Sequence, residues 1–454
     1  MSAVPNINHI KNIYFIGIGG IGMSAIARYF NAKGVLVSGY DRTETPLTKQ
    51  LIEDGISIHY HEDIEQIPKN ADLVVYTPAI PKDHQELLFY QNNRYPVVKR
   101  SDVLQIISNH SINICVAGTH GKTTISTLIA HILRHTEYGC NAFLGGISAN
   151  YNVNYWSSDK QVAVIEADEY DRSFLKLFPY IAVVTAMDAD HLDIYGTAEE
   201  MERCYLTFIS QIKDTLIYKH GLKHSASFQV PHKYSYSLQN DAAYYYAADI
   251  QMKQGGYTFN FCKQDEVVGA VTLHIGGLHN IENTVAALAV CDRLNLDFNK
   301  VVAAVLDFKG VKRRFEYILK NNSLVYIDDY AHHPEELSML LQSAKALFPH
   351  KKVSVVFQPH LFSRTRDFAD GFAKSLDIAD EVILLDIYPA RELPMEGVTS
   401  QILLDKMTLN NKHLFSKESV LQWVEHAQIE ILITAGAGDI DQLVNPIKLL
   451  LENK

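Results

Sequence analysis

Residues 112–124 read Ile-Asn-Ile-Cys-Val-Ala-Gly-Thr-His-Gly-Lys-Thr-Thr. The opening apolar run suits a buried strand, and apolar residues return at helical spacing over 125–133. Between them lies a tight glycine turn ending in a lysine and two hydroxyls. A strand, such a turn and a helix make a phosphate cradle. The first N–H groups of the helix have no partner inside it and point at anionic oxygen. Lys122 is expected on the β- and γ-phosphates and the Thr123 hydroxyl on Mg²⁺. Gly118, Thr119, His120, Gly121 and Thr124 complete the expected ATP cradle. The common phosphate loop carries a longer insert between its glycines; here only Thr119 and His120 separate Gly118 from Gly121.

Strand–helix alternation extends in both directions. Upstream, the apolar run 13–18 leads into Gly17-Ile18-Gly19-Gly20-Ile21-Gly22 and a helical stretch from Met23. Further strands are expected at 35–37, before Ser38-Gly39-Tyr40-Asp41, and at 73–76, before Thr77-Pro78-Ala79. Downstream, strands are expected at 162–165, 181–185, 324–327, 353–357, 382–385 and 431–434. The pattern predicts an α/β chain with parallel sheets, in three blocks bounded at 1–108, 109–312 and 313–454. Residues 220–275, rich in Tyr and His, break the alternation and are expected to be antiparallel or irregular.

Bulk properties narrow the class. The 454 residues suit several domains of ~100–200 residues each. With 47% hydrophobic and 20% charged residues the composition is that of a soluble globular protein. No apolar run approaches the ~20 residues that span a bilayer, and residues 1–11 carry no signal-peptide pattern. Cysteines at 115, 140, 204, 262 and 291 are odd in number and dispersed, which predicts reduced thiols in the cytoplasm. The net charge of −11 argues against nucleic acid as a partner.

Other motifs end strands. Gly17, Gly19 and Gly22 have dinucleotide-turn spacing, and Asp41 falls 22 residues after Gly19. Such a turn binds any diphosphate, so it reads equally as a site for NAD or for a nucleotide-diphosphate substrate. Glu166, Asp168, Glu169 and Asp171 crowd four acids into six residues and repel one another unless a cation is near. The following strand ends in Met187-Asp188-Ala189-Asp190-His191-Leu192-Asp193. Mg²⁺ prefers oxygen, so His191 is either an unusual ligand or a structural histidine. Asn280 and Asn283 share a helix face, where an amide can read a base edge or simply cap. Lys309–Phe315 is a basic cluster near a block boundary, where an arginine reaches a γ-phosphate on domain closure. Asp328-Asp329-Tyr330-Ala331-His332-His333-Pro334 ends another strand. Phe357-Gln358-Pro359-His360-Leu361-Phe362-Ser363-Arg364 ends the next, and its His and Arg suit a carboxylate.

Taken together, these motifs make the chain resemble the Mur ligases over nearly its whole length. The likeness is carried by residues 17–24, 118–124, 166–174, 190–195, 279–283, 313–315, 328–334, 357–365 and 386–392. It implies a Rossmann-like UDP-sugar domain, a central P-loop ATPase domain and a C-terminal Rossmann-like domain for the amino acid. It implies that Gly17, Gly19, Gly20, Ile21, Gly22, Asp41 and Thr77 hold a UDP-sugar and not NAD. By the same resemblance, Glu166 and His191 join Thr123 as metal-associated positions. Asn283 matches the adenine position and Arg314 the phosphate-contacting arginine, with Asp328 or Asp329 near the ribose. Tyr330, His332 and Arg364 match the amino-acid pocket. Lys122, Glu166, His191, Arg314 and His332 form the implied catalytic set.

The implied reaction joins L-alanine to the lactyl carboxylate of UDP-N-acetylmuramate, with ATP and Mg²⁺, through an acyl phosphate. Its place is peptidoglycan precursor synthesis, its form a monomer or weak homodimer with no membrane partner. The alternatives are addition of a recycled tripeptide to the same sugar nucleotide, an NAD-dependent oxidoreductase, and a non-catalytic nucleotide-binding regulator. The chain departs from the family pattern at Tyr40 (a serine elsewhere), and at Tyr170 and Arg172 (small residues elsewhere). Leu361 stands where some members carry a second arginine, and the carbamylated lysine of some sister ligases has no clear match.

Overall fold

A computed structural model describes residues 7–454 apart from 110, 189–191, 254 and 391. It is α/β throughout, with sheets of five, ten and six strands. The chain divides into two compact units, Met1–Ala248 with Asn260–Ala270 and Glu282–Asp307, and Asp249–Phe259 with Val271–Ile281 and Phe308–Lys454.

The five-stranded sheet runs Ser57–His59, Leu36–Tyr40, Asn12–Ile16, Leu73–Tyr76, Val97–Lys99, all parallel. The chain starts in the middle and fills one side before the other. Its order therefore reverses between Asn12–Ile16 and Leu73–Tyr76, where an open sheet forms its ligand crevice. The first strand stops at Ile16, short of the expected Ile18, because Gly17 turns at φ 85°. A Cβ at Gly17 would lie 2.8 Å from Thr77 Cγ2, so the turn presses against the end of the neighbouring strand.

In the ten-stranded sheet, Ile112–Ala117 lies between Val162–Glu166 and Ile181–Val184, parallel to both. The order reverses there too, which puts the phosphate loop at a switch point. The illegible stretch 220–275 forms His232–Tyr236, parallel to its neighbour, then Tyr245–Lys253, Gly256–Lys263 and Glu266–Leu273. Only two residues separate each of the last three strands from the next, a length that permits hairpins and no crossover. Tyr245 and Phe261 stack at 5.7 Å, so the tyrosines that obscured the sequence pattern are cross-strand packing.

The six-stranded sheet runs Glu316–Lys320, Val325–Asp329, Ile431–Ala435, Val353–Phe357, Glu381–Leu384, Lys412–Leu414. Only the Glu316–Lys320 pairing is antiparallel. Ile431–Ala435, Val353–Phe357 and Glu381–Leu384 are buried along their length, as strands covered on both faces must be, whereas the edge strand Lys412–Leu414 is not.

Candidate active site

Helix Lys122–His135 begins at Gly121, which sits at φ 78° and offers no side-chain cap. Helix Ile21–Ala32 likewise begins at a glycine, Gly20, without a cap. Some helices are capped by side chains: Thr45 with Thr48 forms a capping box, and Thr197 and Ser416 cap two more. A side-chain cap is worth about 1 kcal/mol. Its absence at the two glycine turns leaves N–H groups for an anion.

The phosphate loop is shaped by close approaches. Gly118 sits at φ 124°, and a Cβ there would strike Thr185 Oγ1 and the backbone of Thr185 and Ala186. The Thr185 hydroxyl donates to the His120 carbonyl at 2.5 Å, and Thr119 N–H donates to the Ala186 carbonyl at 3.3 Å. A Cβ at Gly121 would come within 2.5 Å of Asn283 Oδ1, which sets the Asn283 amide against the loop.

Three side chains meet inside this frame. Lys122 Nζ donates to the Gly118 carbonyl and to Glu169 Oε1, each at 2.8 Å. Glu169 is 1% exposed, so this ion pair is shielded from water. The Thr123 hydroxyl donates to Glu166 Oε1 at 3.0 Å, and Gly145 N–H donates to Oε2 at 2.9 Å. Burial pushes the Glu166 carboxyl above its usual range, and Lys122 and the two hydrogen bonds only partly oppose this. Glu169, Gly145 and Thr185 were not picked out as loop partners by sequence. Glu169 stood in the acidic run, but no spacing says which of four acids meets a lysine 47 positions away. Arg100 pairs with Asp168 at 3.2 Å and Lys99 with Asp171 at 3.0 Å. Three of the four acids, Glu169 included, thus pair with arginine or lysine. His191 lies outside the described residues.

At the first glycine turn, Gly17 and Ile18 N–H groups donate to the Tyr40 carbonyl, at 2.8 and 3.0 Å. Asp41 accepts Gly19 N–H on Oδ2 at 2.8 Å and Thr43 N–H on Oδ1 at 3.1 Å. Its carboxylate therefore holds the turn. A Cβ at Gly22 would strike the Arg100 guanidinium, so an arginine also stands beside this turn. Tyr40 is buried against His84, rings 4.8 Å apart.

In the second unit, Asp328 to His332 and His360 to Arg364 lie at the ends of two parallel strands. These are not neighbours, although their shared amino-acid role implied it: Ile431–Ala435 pairs between them. Asp329 accepts Phe315 N–H at 2.6 Å and Ala331 N–H at 2.7 Å. Arg313 pairs with buried Asp328 at 3.4 Å and lies 5.0 Å from the centre of the Tyr330 ring; Arg314 lies 5.7 Å from it. Arg313 at φ 60° and Phe315 at φ 48° occupy left-handed backbone, which costs of order 1 kcal/mol each in a residue with a Cβ. Burial pushes Asp328 up to about 7 against the pull of Arg313 and Thr434. Burial, aided by Arg314, lowers His279 to about 4.

The Tyr330 and His332 rings are 5.3 Å apart, and those of His332 and His360 are 6.1 Å apart. His332 Nδ1 faces the Tyr330 carbonyl at 3.0 Å. A carbonyl only accepts, so Nδ1 carries the proton and Nε2 keeps its lone pair. Burial lowers the His332 pKa, which keeps that lone pair at neutral pH. Arg364 Nη1 meets His360 Nδ1 at 3.3 Å, and His360 stacks on Tyr388. Leu361 sits at φ 70°, and Glu392 accepts Ser363 N–H at 3.0 Å, which fixes the start of the Arg364 helix. Tyr388 and Glu392 complete this cluster. Glu392 lay within a motif carried by resemblance alone, and neither residue has a spacing that marks it.

Family models match the chain in three consecutive pieces: the Mur ligase family catalytic domain over 12–111, the Mur ligase middle domain over 116–291, and the Mur ligase glutamate ligase domain over 313–440. The UDP-N-acetylmuramate--L-alanine ligase of Flavobacterium johnsoniae is 47% identical, over 98% of this chain and 99% of its own.

The chain belongs to the Mur ligase family.

A second relative of the same description, from Porphyromonas gingivalis, is 46% identical over 98% of this chain and 99% of its own. Among solved structures, the UDP-N-acetylmuramate-alanine ligase of Thermotoga maritima superposes with a TM-score of 0.83 at 28% identity, covering 98% of this chain and 99% of that one. A murein peptide ligase from Psychrobacter arcticus shares the fold with a TM-score of 0.67 at 20% identity, over 98% of this chain and 99% of that one. Among the described residues, no helix is long and apolar enough to cross a membrane.

Proposed function

We propose that this protein is an ATP-dependent ligase that joins L-alanine to the lactyl carboxylate of UDP-N-acetylmuramate in peptidoglycan precursor synthesis. The observation that carries this reading is full-length identity of 45–47% to relatives of that activity, on a chain whose phosphate loop holds a lysine and a carboxylate in place. The domains are assigned to 1–108 for the UDP-sugar, 109–312 for ATP and 313–454 for the amino acid. The chain acts in the cytoplasm as a monomer or weak homodimer.

A carboxylate is a poor electrophile, so it must be activated. Its oxygen attacks the γ-phosphorus, the bond to the β-phosphate oxygen breaks, and ADP leaves. Lys122 exchanges Glu169 for phosphate oxygen and, with Arg314, offsets the charge that develops there. Thr123 and Glu166 offer a hydroxyl oxygen and a buried carboxylate 3.0 Å apart, hard donors that would hold Mg²⁺, which would supply charge neutralisation at the phosphates. Asn283, against the loop, is assigned to the adenine, and Asp328 or Asp329 to the ribose side.

The alanine amine then attacks the acyl carbon, the carbon–oxygen bond breaks, and phosphate leaves. His332 Nε2 is assigned the amine proton, and Arg364 the alanine carboxylate. Phosphate release from UDP-N-acetylmuramate and ATP, scanned over amino acids, tests the reading. L-alanine is expected to give the highest kcat/KM. Selective turnover of the recycled tripeptide would transfer the chain to the murein-peptide reaction, and release independent of any amine would overturn the ligase assignment.

A further inference from the structure

The first compact unit holds a cavity of about 570 Å³ away from both glycine turns. That volume falls within the ~300–1,000 Å³ of small-molecule pockets. Helix Ile21–Ala32 starts at the first turn, and residues near its far end, Arg28 and Asn31, line one wall. Helix Lys122–His135 starts at the second, and Arg134, near its far end, lines another. Tyr155, Trp156 and Ser158 form much of the rest.

The two arginines differ. Arg28 is committed: it pairs with Asp54 at 2.8 Å and donates to Asn154 Oδ1 at 2.7 Å. The Arg134 guanidinium lies over Tyr151 at 4.2 Å and over Trp156 at 5.5 Å. Among the described residues, no carboxylate lies within ion-pair distance of it. Stacking fixes the guanidinium plane and leaves its N–H edge as a fork matched to carboxylate or phosphate. The Tyr155 hydroxyl and Trp156 indole N–H in the same wall are buried, beside Ser157 and Cys140 respectively. A surface arginine packed only for solubility has no need of an aromatic shelf at the edge of such a cavity.

We propose that this cavity is a second ligand site that binds a small organic anion, a carboxylate or a phosphate monoester, through Arg134. Its occupant touches the far ends of both helices that begin at the nucleotide turns. Asn154 already ties one of these helices to the cavity wall. It donates to the Ile21 carbonyl at 2.6 Å and to Ser24 Oγ at 2.9 Å, from the residue next to Tyr155. The site is therefore placed to strengthen the tie between the amino-terminal helix and the central sheet without entering the ATP cradle.

The chain has two tryptophans. In a Trp423→Phe background only Trp156 reports, so the full-length protein is titrated with succinate and, separately, with glycerol 3-phosphate. At least one is expected to give a saturable fluorescence change that saturating ATP leaves in place and that Arg134→Gln weakens about tenfold or more. The succinate and glycerol-phosphate arms tell a carboxylate from a phosphate source. Calorimetric titration of the natural chain gives the same reading should Trp423→Phe fold poorly. Arg134 is exposed, so an unchanged melting temperature is expected for its variant. Failure of both anions to saturate, or binding indifferent to Arg134→Gln, overturns the site. Displacement by ATP overturns it as well, by placing the anion in the phosphate cradle.

Discussion

The two glycine turns are built alike and furnished differently. Each follows a strand flanked by parallel neighbours at a switch point, and each starts a helix that no side chain caps. At the first, the nearest carboxylate, Asp41, accepts Gly19 N–H and braces the turn. No lysine stands inside it. At the second, Lys122 lies inside the loop with Glu169, and Thr123 lies on Glu166. The first has what a diphosphate needs to be held. The second also has a movable cation and a buried carboxylate, which a transferring phosphoryl group needs in addition. Backbone N–H groups suffice for binding; side-chain charge must be supplied where charge moves.

The largest effect that can break this contrast belongs to Lys122. Lys122→Ala is expected to lower turnover by ~3 or more orders of magnitude, because a charge clamp on the γ-phosphate is lost. Calorimetric affinity for UDP-N-acetylmuramate should stay unchanged. Near-normal turnover would show that the second turn, too, only holds its ligand. Glu166→Gln keeps the shape and removes a charge. It is expected to lower kcat ~10–100-fold and to raise the magnesium concentration needed for half-maximal rate; an unchanged magnesium dependence would leave Glu166 as a brace for Thr123 and Gly145. The smallest effect belongs to the first turn. A Cβ at Gly19 would lie 2.7 Å from Thr48 Cγ2 and 2.8 Å from Asp41 Oδ2. Gly19→Ala is expected to weaken UDP-sugar binding ~10-fold, about the cost of one hydrogen bond lost when Thr48 and Asp41 force the turn to shift, and to leave the KM for ATP alone. A parallel rise in both constants would mean that the turns are not separable.

The same contrast marks what the sequence carried. The second turn was legible because a lysine and two hydroxyls within eight residues of a strand have few other uses. The first stayed open between NAD and a nucleotide-diphosphate substrate, since its glycines specify backbone shape and nothing about what lies beyond the diphosphate. Parallel strands showed as apolar runs, whereas the meander within 220–275 did not. Its tyrosines pack across strands, and that pairing leaves no two-residue alternation to read. Glu169, the partner of Lys122, was hidden among four acids, because register between strands decides which one arrives. Arg313 and Arg314 are adjacent in sequence, yet only Arg313 reaches buried Asp328. Arg313 is left-handed, and nothing in a basic run announces a positive φ.

The central claim is that ATP activates the muramyl carboxylate by phosphoryl transfer at the second turn. UDP-N-acetylmuramate labelled with ¹⁸O in its lactyl carboxylate, turned over with ATP and L-alanine, tests it most directly by mass spectrometry of the released phosphate. An acyl phosphate requires one labelled oxygen in each phosphate formed, with ADP as the nucleotide product. Label in AMP with pyrophosphate released, or phosphate free of label, would contradict the account.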